Sequence, residues 1–490
     1  MKSVPLLGYV LIAGVAVLLY AVGIDIPYFA DDFHWVFDNP LAQSANCLTR
    51  IYSPNTFYRP IQACFLLRVQ AAVGPSTIPI HVVHILMHAL CSCLVCWAVF
   101  RFKRERSPAL VAGLAMAVSQ ANVLAVANND TLSQLGGTLF GVASLVAFFE
   151  SNKTDASSAK GGRRALLYLS GLCLLFLSLL SKESSVCFPL LAAGVIALAP
   201  AGRARLGRRM LQIAAGVSPI VMTTLGYIVL RGSLHAWPAS YGHNMYDFWF
   251  GLNVLRNLAA LGLSALLPFS SVDVNGAHAM GNTTLLPAYI VGAGLWAAGL
   301  AWGLTRSRNR RLAAWFGVAA MVATVPTVFM NHVSELYTYN CMPFVAAIIG
   351  LGLGPLLGSG GLEGLRRRAA FVVGLALLLS HGLAVQSKVR MMRDNGVRAS
   401  ELLSAVVSVA RSAPADATLR LINPKHDRPT YSAFQLSGFD VLRDAGEWIR
   451  VSAGRPDLKV LLVEWDEACV PANGRVCLTI EDGHVVSTRR

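Results

Sequence analysis

A ladder of apolar runs, each about twenty residues long and separated by short clusters of Arg and Lys, constrains this chain more than any other feature. A run of that length, coiled at about 1.5 Å rise per residue, matches the hydrocarbon thickness of a bilayer. We expect helices at roughly 4–24, 80–100, 108–127, 131–149, 165–181, 184–200, 210–231, 285–304, 312–330, 338–356 and 369–386, about eleven spans. The expected fold class is therefore an all-α polytopic membrane protein. Charge supports it, because 14% of the residues are charged where a soluble chain carries about 25%. The first run, Val4 to Gly23, has no small-residue cleavage site after it and reads as a retained helix rather than a signal peptide.

The distribution of basic residues orients the ladder. A net charge of +15, from 41 Lys+Arg against 26 Asp+Glu, would suggest nucleic acid if it formed one patch. Instead it falls at Arg101–Arg106, Lys160–Arg164, Arg203–Arg209, Arg306–Arg311 and Arg366–Arg368, so no nucleic-acid partner is expected. With Lys2 inside, every cluster lands on the cytoplasmic side, as the positive-inside rule requires. An odd number of spans then leaves the C-terminus outside. One further run, Leu252 to Phe269, would carry two of those clusters outside if it crossed, so it is expected to be a non-spanning or re-entrant helix.

Elaboration is concentrated on the external face. It carries a first loop at 25–79, the turns Asn128–Asp130 and Ser181–Ser184, a large loop at 232–284, the turn Asn331–Glu335 and everything after 386. Residues 1–386 form the transmembrane domain and 387–490 a small extracytoplasmic α/β appendage. In the appendage a helix is expected at 398–412, strands at 417–423, 458–465 and 475–481, and a last extended run after Asp482-Gly483. Most cysteines sit in apolar runs as small hydrophobes (Cys91, Cys93, Cys96, Cys173, Cys187, Cys341). Cys469 and Cys477 differ: they flank the turn Pro471–Gly474, which can bring them into a disulfide if that region faces an oxidising compartment.

Candidate chemistry lies at the external helix ends. Asp31 and Asp32 stand just past the first span among Tyr28, Phe29, Phe33 and Trp35, which are expected to desolvate at least one carboxylate, and the second charge alongside pushes the same way, raising the pKa of one member of the pair. A solvated pair beside a helix end is the plain alternative. Tyr58-Arg59-Pro60 follows, with an extended Arg able to grip a phosphate or to snorkel at the interface. His81, His84 and His88 share one helix face; with no carboxylate in the set, packing is favoured over a metal, and no metal or cofactor is expected. Asp130, Lys182-Glu183, and Glu335 with Tyr337 and Tyr339 are polar residues at the edge of an apolar bundle, where charge is costly and commonly functional. Arg231 and His243 in the large loop complete the set.

In this order, the Asp-Asp pair, Tyr58-Arg59-Pro60, the histidine run 81–88, Asn129-Asp130-Thr131-Leu132, Leu180–Glu183 and Glu335–Tyr339 with Pro343 resemble the GT-C superfamily of membrane glycosyltransferases. The pattern looks most similar to protein O-mannosyltransferases and to the transmembrane O-mannosyltransferases carrying tetratricopeptide repeats. Asn128 and His84 depart from it, and the repeat domain is absent. The resemblance implies transfer of a sugar from a polyprenyl-phosphate donor to a glycan, lipid or protein acceptor at the external face of the membrane; direct displacement would invert the anomeric configuration, and Gly- and Arg-rich usage with short loops suits a bacterial inner membrane. It implies an aspartate base, Asp31 with Asp32 positioning it, and cations at the leaving phosphate from Lys182, Arg59 or Arg231. Tyr58, His88, Asp130, Glu183, Glu335, Tyr337 and Tyr339 would support them. A transporter or flippase for a lipid-linked sugar is the rival reading; it would favour internal repeats and charges at the midplane, and neither is evident in the sequence.

Overall fold

A computed structural model of the chain describes residues 4–33, 47–48, 57–153, 158–197, 206–236, 248–271, 273–274, 283–284, 286–306, 310–331, 333–357, 364–423, 434, 436, 438–463, 475–481 and 484–488. Each expected span contains a helix. They are α1 (Leu6–Tyr20), α2 (Pro60–Val73), α3 (Ile78–Lys103), α4 (Arg106–Val118), α5 (Val123–Ala127), α6 (Leu132–Lys153), α7 (Ser158–Ser181), α8 (Cys187–Ala197), α9 (Leu206–Ser233), α10 (Leu252–Leu266), α11 (Leu286–Arg306), α12 (Arg310–Val328), α13 (Met342–Leu357), α14 (Gly364–Arg411) and the short α15 (Gly446–Ala453). Seven helices among the described residues are long and apolar enough to cross a membrane, eight if the bent pair α4 and α5 counts as one span. The chain is an integral membrane protein; the count of about eleven spans is not confirmed among the described residues, where several of the expected runs are helices shorter than 18 residues.

Three departures from the expected spans shape the molecule. The run at 108–127 is broken by 49° where Ser119 turns extended (φ −61°, ψ 125°) and a 3₁₀ turn, Gln120–Asn122, follows. The run at 338–356 opens with a 3₁₀ turn, Glu335–Asn340, before α13 begins. Finally, the last span and the helix expected at 398–412 are one continuous helix, α14, of 48 residues, so the expected boundary at 386/387 falls inside it. The run at 252–269 forms α10, which at 15 residues is a short apolar helix rather than a full span.

The appendage is a four-stranded sheet in the order β2-β1-β3-β4: β1 (Thr418–Ile422), β2 (Lys459–Val463), β3 (Arg475–Glu481) and β4 (His484–Thr488). Strands β2 and β3 flank β1 in parallel, and β4 closes a hairpin on β3. The α15 helix lies in the crossover from β1 to β2, the usual way of joining parallel neighbours. Leu419, Val476, Leu478 and Ile449 are buried beneath the sheet, in one continuous apolar core with Tyr28, Phe33 and the membrane helices. Cys477 is disulfide-bonded. Cys469, its expected partner, lies outside the described residues. A disulfide that sequence reading missed joins Cys47 to Cys64 on α2, pinning the first loop.

A buried polar knot holds the broken helices together. Glu335, 1% exposed, accepts hydrogen bonds from Ser264 Oγ of α10 at 2.8 Å and from Lys388 Nζ of α14 at 2.7 Å. Lys388 also bonds Gln120 at the α4/α5 break, and Gln120 Nε2 donates to the carbonyls of Ser264 (2.8 Å) and Leu267 (3.0 Å). Backbone groups freed at the break and at the end of α10 are thereby satisfied inside the protein, as membrane depth demands. Lys388→Met leaves the Glu335 carboxylate buried without its cation and is expected to destabilise by about 3–5 kcal/mol. Pairing it with Glu335→Gln is expected to recover most of that loss, both read from thermal unfolding of the detergent-solubilised protein.

Candidate active site

Local geometry of the acidic loop follows from its sequence. After α1 the chain turns at Pro27 and runs through Tyr28 and Phe29, whose rings are buried at 5% and 4% exposure. Asp32 is fully buried; its Oδ2 accepts from the Phe29 N–H at 3.1 Å and from Asn129 Nδ2 at 2.9 Å, while Oδ1 has no hydrogen-bond partner among the described residues. Burial first, then the nearby Asp130 carboxylate, push the Asp32 pKa well above the usual carboxylate range. Asp31 points the other way and is exposed, with Arg443 Nη1 3.9 Å from its Oδ1. Trp35 and His34 lie outside the described residues. The loop is anchored from below by His81, whose Nε2 lies 3.2 Å from the Ile26 carbonyl, and His84 meets His81 edge-on at 6.2 Å. His81 therefore braces the acidic loop, and His84 packs behind it. His88 sits deeper, between Tyr339 Oη (3.0 Å) and the Ala117 carbonyl (3.2 Å).

Cations gather beside it. Arg59 caps the start of α2 and forks onto Glu183, Nε to Oε2 at 2.9 Å and Nη2 to Oε1 at 2.6 Å, with its guanidinium 4.3 Å over the Phe57 ring. Tyr58 donates to the Leu48 carbonyl at 2.9 Å, next to the Cys47–Cys64 bridge that holds this loop. Arg231, at the end of α9, reaches the Ala236 carbonyl at 2.5 Å and the Tyr227 hydroxyl at 3.2 Å. Burial tends to raise the Glu183 carboxyl, but Arg59, with help from Arg231 and Lys182, outweighs it and holds the pKa at about 2.

Lys182 is the unusual member. It is 4% exposed, yet among the described residues its ammonium makes no hydrogen bond and no ion pair. Its position is fixed by close packing of α7 on α6, where Ser178 Oγ donates to the Gly137 carbonyl at 2.6 Å and a Cβ on Gly137 would sit 2.6 Å from Ser185 Oγ. Burial and the neighbouring Arg59 bring its pKa down to about 7, against the pull of Glu183 and Asp130. Asp130, bonded by Asn128 Nδ2 at 2.8 Å, is raised to about 6 by burial and by Asp31, with Lys182 and Arg59 opposing. Asp130 thus senses the acidic loop on one side and the cations on the other, joining them into a single electrostatic unit.

The structure brings together Asp31, Asp32, Arg59, Tyr58, Asp130, Lys182, Glu183 and Arg231. Glu335 belongs to the knot with Lys388, Tyr337 packs with Leu261 and Val328, and Tyr339 pairs with His88 in the core. The hydrogen bonds of Glu335, His88 and Tyr339 described above run to other partners than the cluster. Asn340 makes an indirect link: its Oδ1 accepts from Gln134 (2.6 Å) and Thr138 (2.7 Å) of α6, and its Nδ2 donates to Ser184 Oγ (3.1 Å) beside Lys182 and Glu183. His243 lies outside the described residues. Sequence reading missed Asn129, which orients Asp32, and Gln62, whose Oε1 accepts from the Ser133 N–H at the start of α6 (2.9 Å). The signal for Asn129 was its place beside Asp130 at a buried helix end; for Gln62 there was none beyond a lone amide in an apolar helix.

No family model and no curated protein matches the chain. Solved structures do. The chain is similar to ArnT from Cupriavidus metallidurans bound to undecaprenyl phosphate, at 14% identity and TM-score 0.56, over 98% of this chain and 97% of that one. The apo form of ArnT gives a TM-score of 0.52 at 14% identity, over 86% and 83%. The archaeal oligosaccharyltransferase AglB from Archaeoglobus fulgidus, in complex with an inhibitory peptide and a dolichol-phosphate, gives 0.50 at 13% identity, over 93% of this chain and 64% of that one. The chain shares the overall fold of these proteins. The narrower likeness to O-mannosyltransferases is not carried by these structures.

A buried lysine at about 7 gives the site a pH signature. An arriving anion favours the charged ammonium, so anion binding takes up a proton and weakens as pH rises through and above the lysine's range. Affinity of the purified protein for an anionic phosphate-headgroup probe is expected to fall between pH 7 and pH 9. In Lys182→Arg, which keeps its charge, that dependence is expected to flatten, as measured by native mass spectrometry or lipid-binding fluorescence.

Proposed function

We propose that this protein is an integral-membrane glycosyltransferase that moves a sugar from a polyprenyl-phosphate donor to a hydroxyl acceptor at the face bearing the α/β domain. The observation that carries the reading is Lys182: a buried ammonium with no partner among the described residues, set beside Asp130 and the Arg59–Glu183 fork. An unpaired buried cation is costly unless an anion completes it. A lipid-linked phosphate at the membrane edge is the anion suited to that position, and the GT-C fold supports the same reading.

Chemically, the acceptor oxygen attacks the anomeric carbon as its proton passes to a carboxylate. The bond from that carbon to the phosphate oxygen breaks, and the phosphate leaves with the electron pair. Asp31, exposed beside the cluster, is the base; buried Asp32 holds Phe29 and Asn129 and fixes the turn. The departing phosphate needs charge rather than a proton, which Lys182 supplies with the neighbouring Arg59 and Arg231. Direct displacement inverts the anomeric configuration. The face is read as extracytoplasmic because the basic clusters lie at the opposite helix ends.

Membranes containing the protein, supplied with a panel of radiolabelled polyprenyl-phosphate hexoses and pentoses, are expected to pass label to a lipid, glycan or protein fraction. Asp31→Asn is expected to lower the rate by about 10²–10⁴-fold, and Lys182→Ala by about 10²–10³-fold. Asp32→Asn, which removes a positioning group, is expected to fall between wild type and Asp31→Asn. Movement of the lipid across the bilayer without transfer, or full activity in both aspartate variants, would overturn the reading.

A further inference from the structure

The C-terminal domain touches the acidic loop on both sides of Asp31, at Tyr28 and Ala30 before it and at Phe33 after it. The Ala30 N–H donates to the Val441 carbonyl at 2.8 Å, and Ala30 is held at φ +49°, a left-handed conformation that a residue with a Cβ adopts at a cost of about 1–2 kcal/mol. On the other side the Phe33 ring meets Trp448 of α15 edge-on at 5.3 Å, and Tyr28 meets the same indole at 6.1 Å. Arg443, between Val441 and Trp448 in sequence, is 3.9 Å from Asp31. From beneath, Gly396 of α14 lies so close to Pro27 that a Cβ would come within 2.7 Å of its carbonyl oxygen, and Arg393 pairs with Asp25 at 2.8 Å.

We infer that the C-terminal domain is a working wall of the active site, in which Trp448 is a positioning residue that, with the Val441 carbonyl, fixes the backbone presenting Asp31. The inference rests on the reading of Asp31 as the base. A plain domain interface would bury whichever apolar residues happened to be adjacent. Here the contacts fall on Ala30, the residue directly before Asp31, and on Phe33, directly after Asp32, and the first of them is made by a residue in the left-handed region. Arg443 faces the Asp31 carboxylate from the same segment, so the domain also sets the charge beside the base.

The test uses the full-length protein in lipid nanodiscs, comparing wild type, Trp448→Phe and Trp448→Ala. Displacement of a base by about 1 Å costs on the order of a hundredfold in rate. Trp448→Ala is therefore expected to lower kcat by about ten- to a hundredfold, with KM for the lipid-linked donor and affinity for undecaprenyl phosphate within about twofold of wild type. Trp448→Phe, which keeps an aromatic face for Phe33, is expected to restore most of kcat. Hydrogen exchange at the amides of residues 28–33 is the second readout: faster at Ala30 in Trp448→Ala, unchanged in Trp448→Phe. Unchanged kcat and unchanged exchange in Trp448→Ala overturn the inference, as does an equal loss in both variants together with lost phosphate affinity, which marks general unfolding. If wild type transfers no sugar, the reading of function fails on its own, and the exchange data still decide whether Trp448 holds the loop.

Discussion

The fork between Arg59 and Glu183 is the interaction on which the site depends. It joins the start of α2 to the turn after α7 by two short charge-assisted bonds at a place where water is scarce. By occupying both oxygens of Glu183 it leaves the adjacent Lys182 without that carboxylate, although the two are neighbours in sequence. A lysine and a glutamate side by side would ordinarily neutralise one another. Here the glutamate is taken by a partner 124 residues away, and the lysine keeps its charge for something else. The disulfide at Cys64 and the Tyr58 hydroxyl bond to Leu48 hold the Arg59 loop in place, so the fork is braced from both ends.

Two polar clusters in this protein follow opposite designs. Around Glu335 every charge is answered: Lys388, Ser264 and Gln120 close a knot in which backbone carbonyls also take part. Its work is to hold together a broken helix, a short helix and the long α14. Around Lys182 the accounts are left open, with Asp130 near 6 and the lysine near 7 poised to trade a proton as charge arrives. Closed polar clusters in an apolar setting give rigidity; open ones give chemistry. Asn340 lies between the two, bonded to α6 and to Ser184, so the rigid cluster positions the open one.

Much of the fold was legible because the bilayer writes a coarse code: length and hydropathy alone located a helix in every expected run. The code says nothing of breaks that carry no proline or glycine, and Ser119 is such a break. Nor does it show that a span continues beyond the membrane as one helix, since the change from apolar to polar residues after 386 reads equally well as a domain boundary. In the site, Asp31, Asp32, Arg59, Asp130, Lys182 and Glu183 stood out because charge at the edge of an apolar bundle is expensive. Glu335 stood out for the same reason, but its partner Lys388 lay within a run of ordinary polar residues, so its structural task could not be seen. The pairing of Ala30 with Val441 and of Phe33 with Trp448 is purely tertiary and left no local trace.

The unbroken α14 has a mechanical consequence. At 48 residues it is about 72 Å long, more than twice the thickness of the hydrocarbon layer. It packs against Pro27 through Gly396 and carries the sheet on its far end, so it behaves as a lever with its fulcrum beside the acidic loop. Each degree of tilt moves one end relative to the other by roughly 1 Å. Bilayers of different thickness set different tilts. The spacing between loop and domain is thus mechanically tied to the lipid around the protein, and the membrane is a component of the machine as well as its solvent.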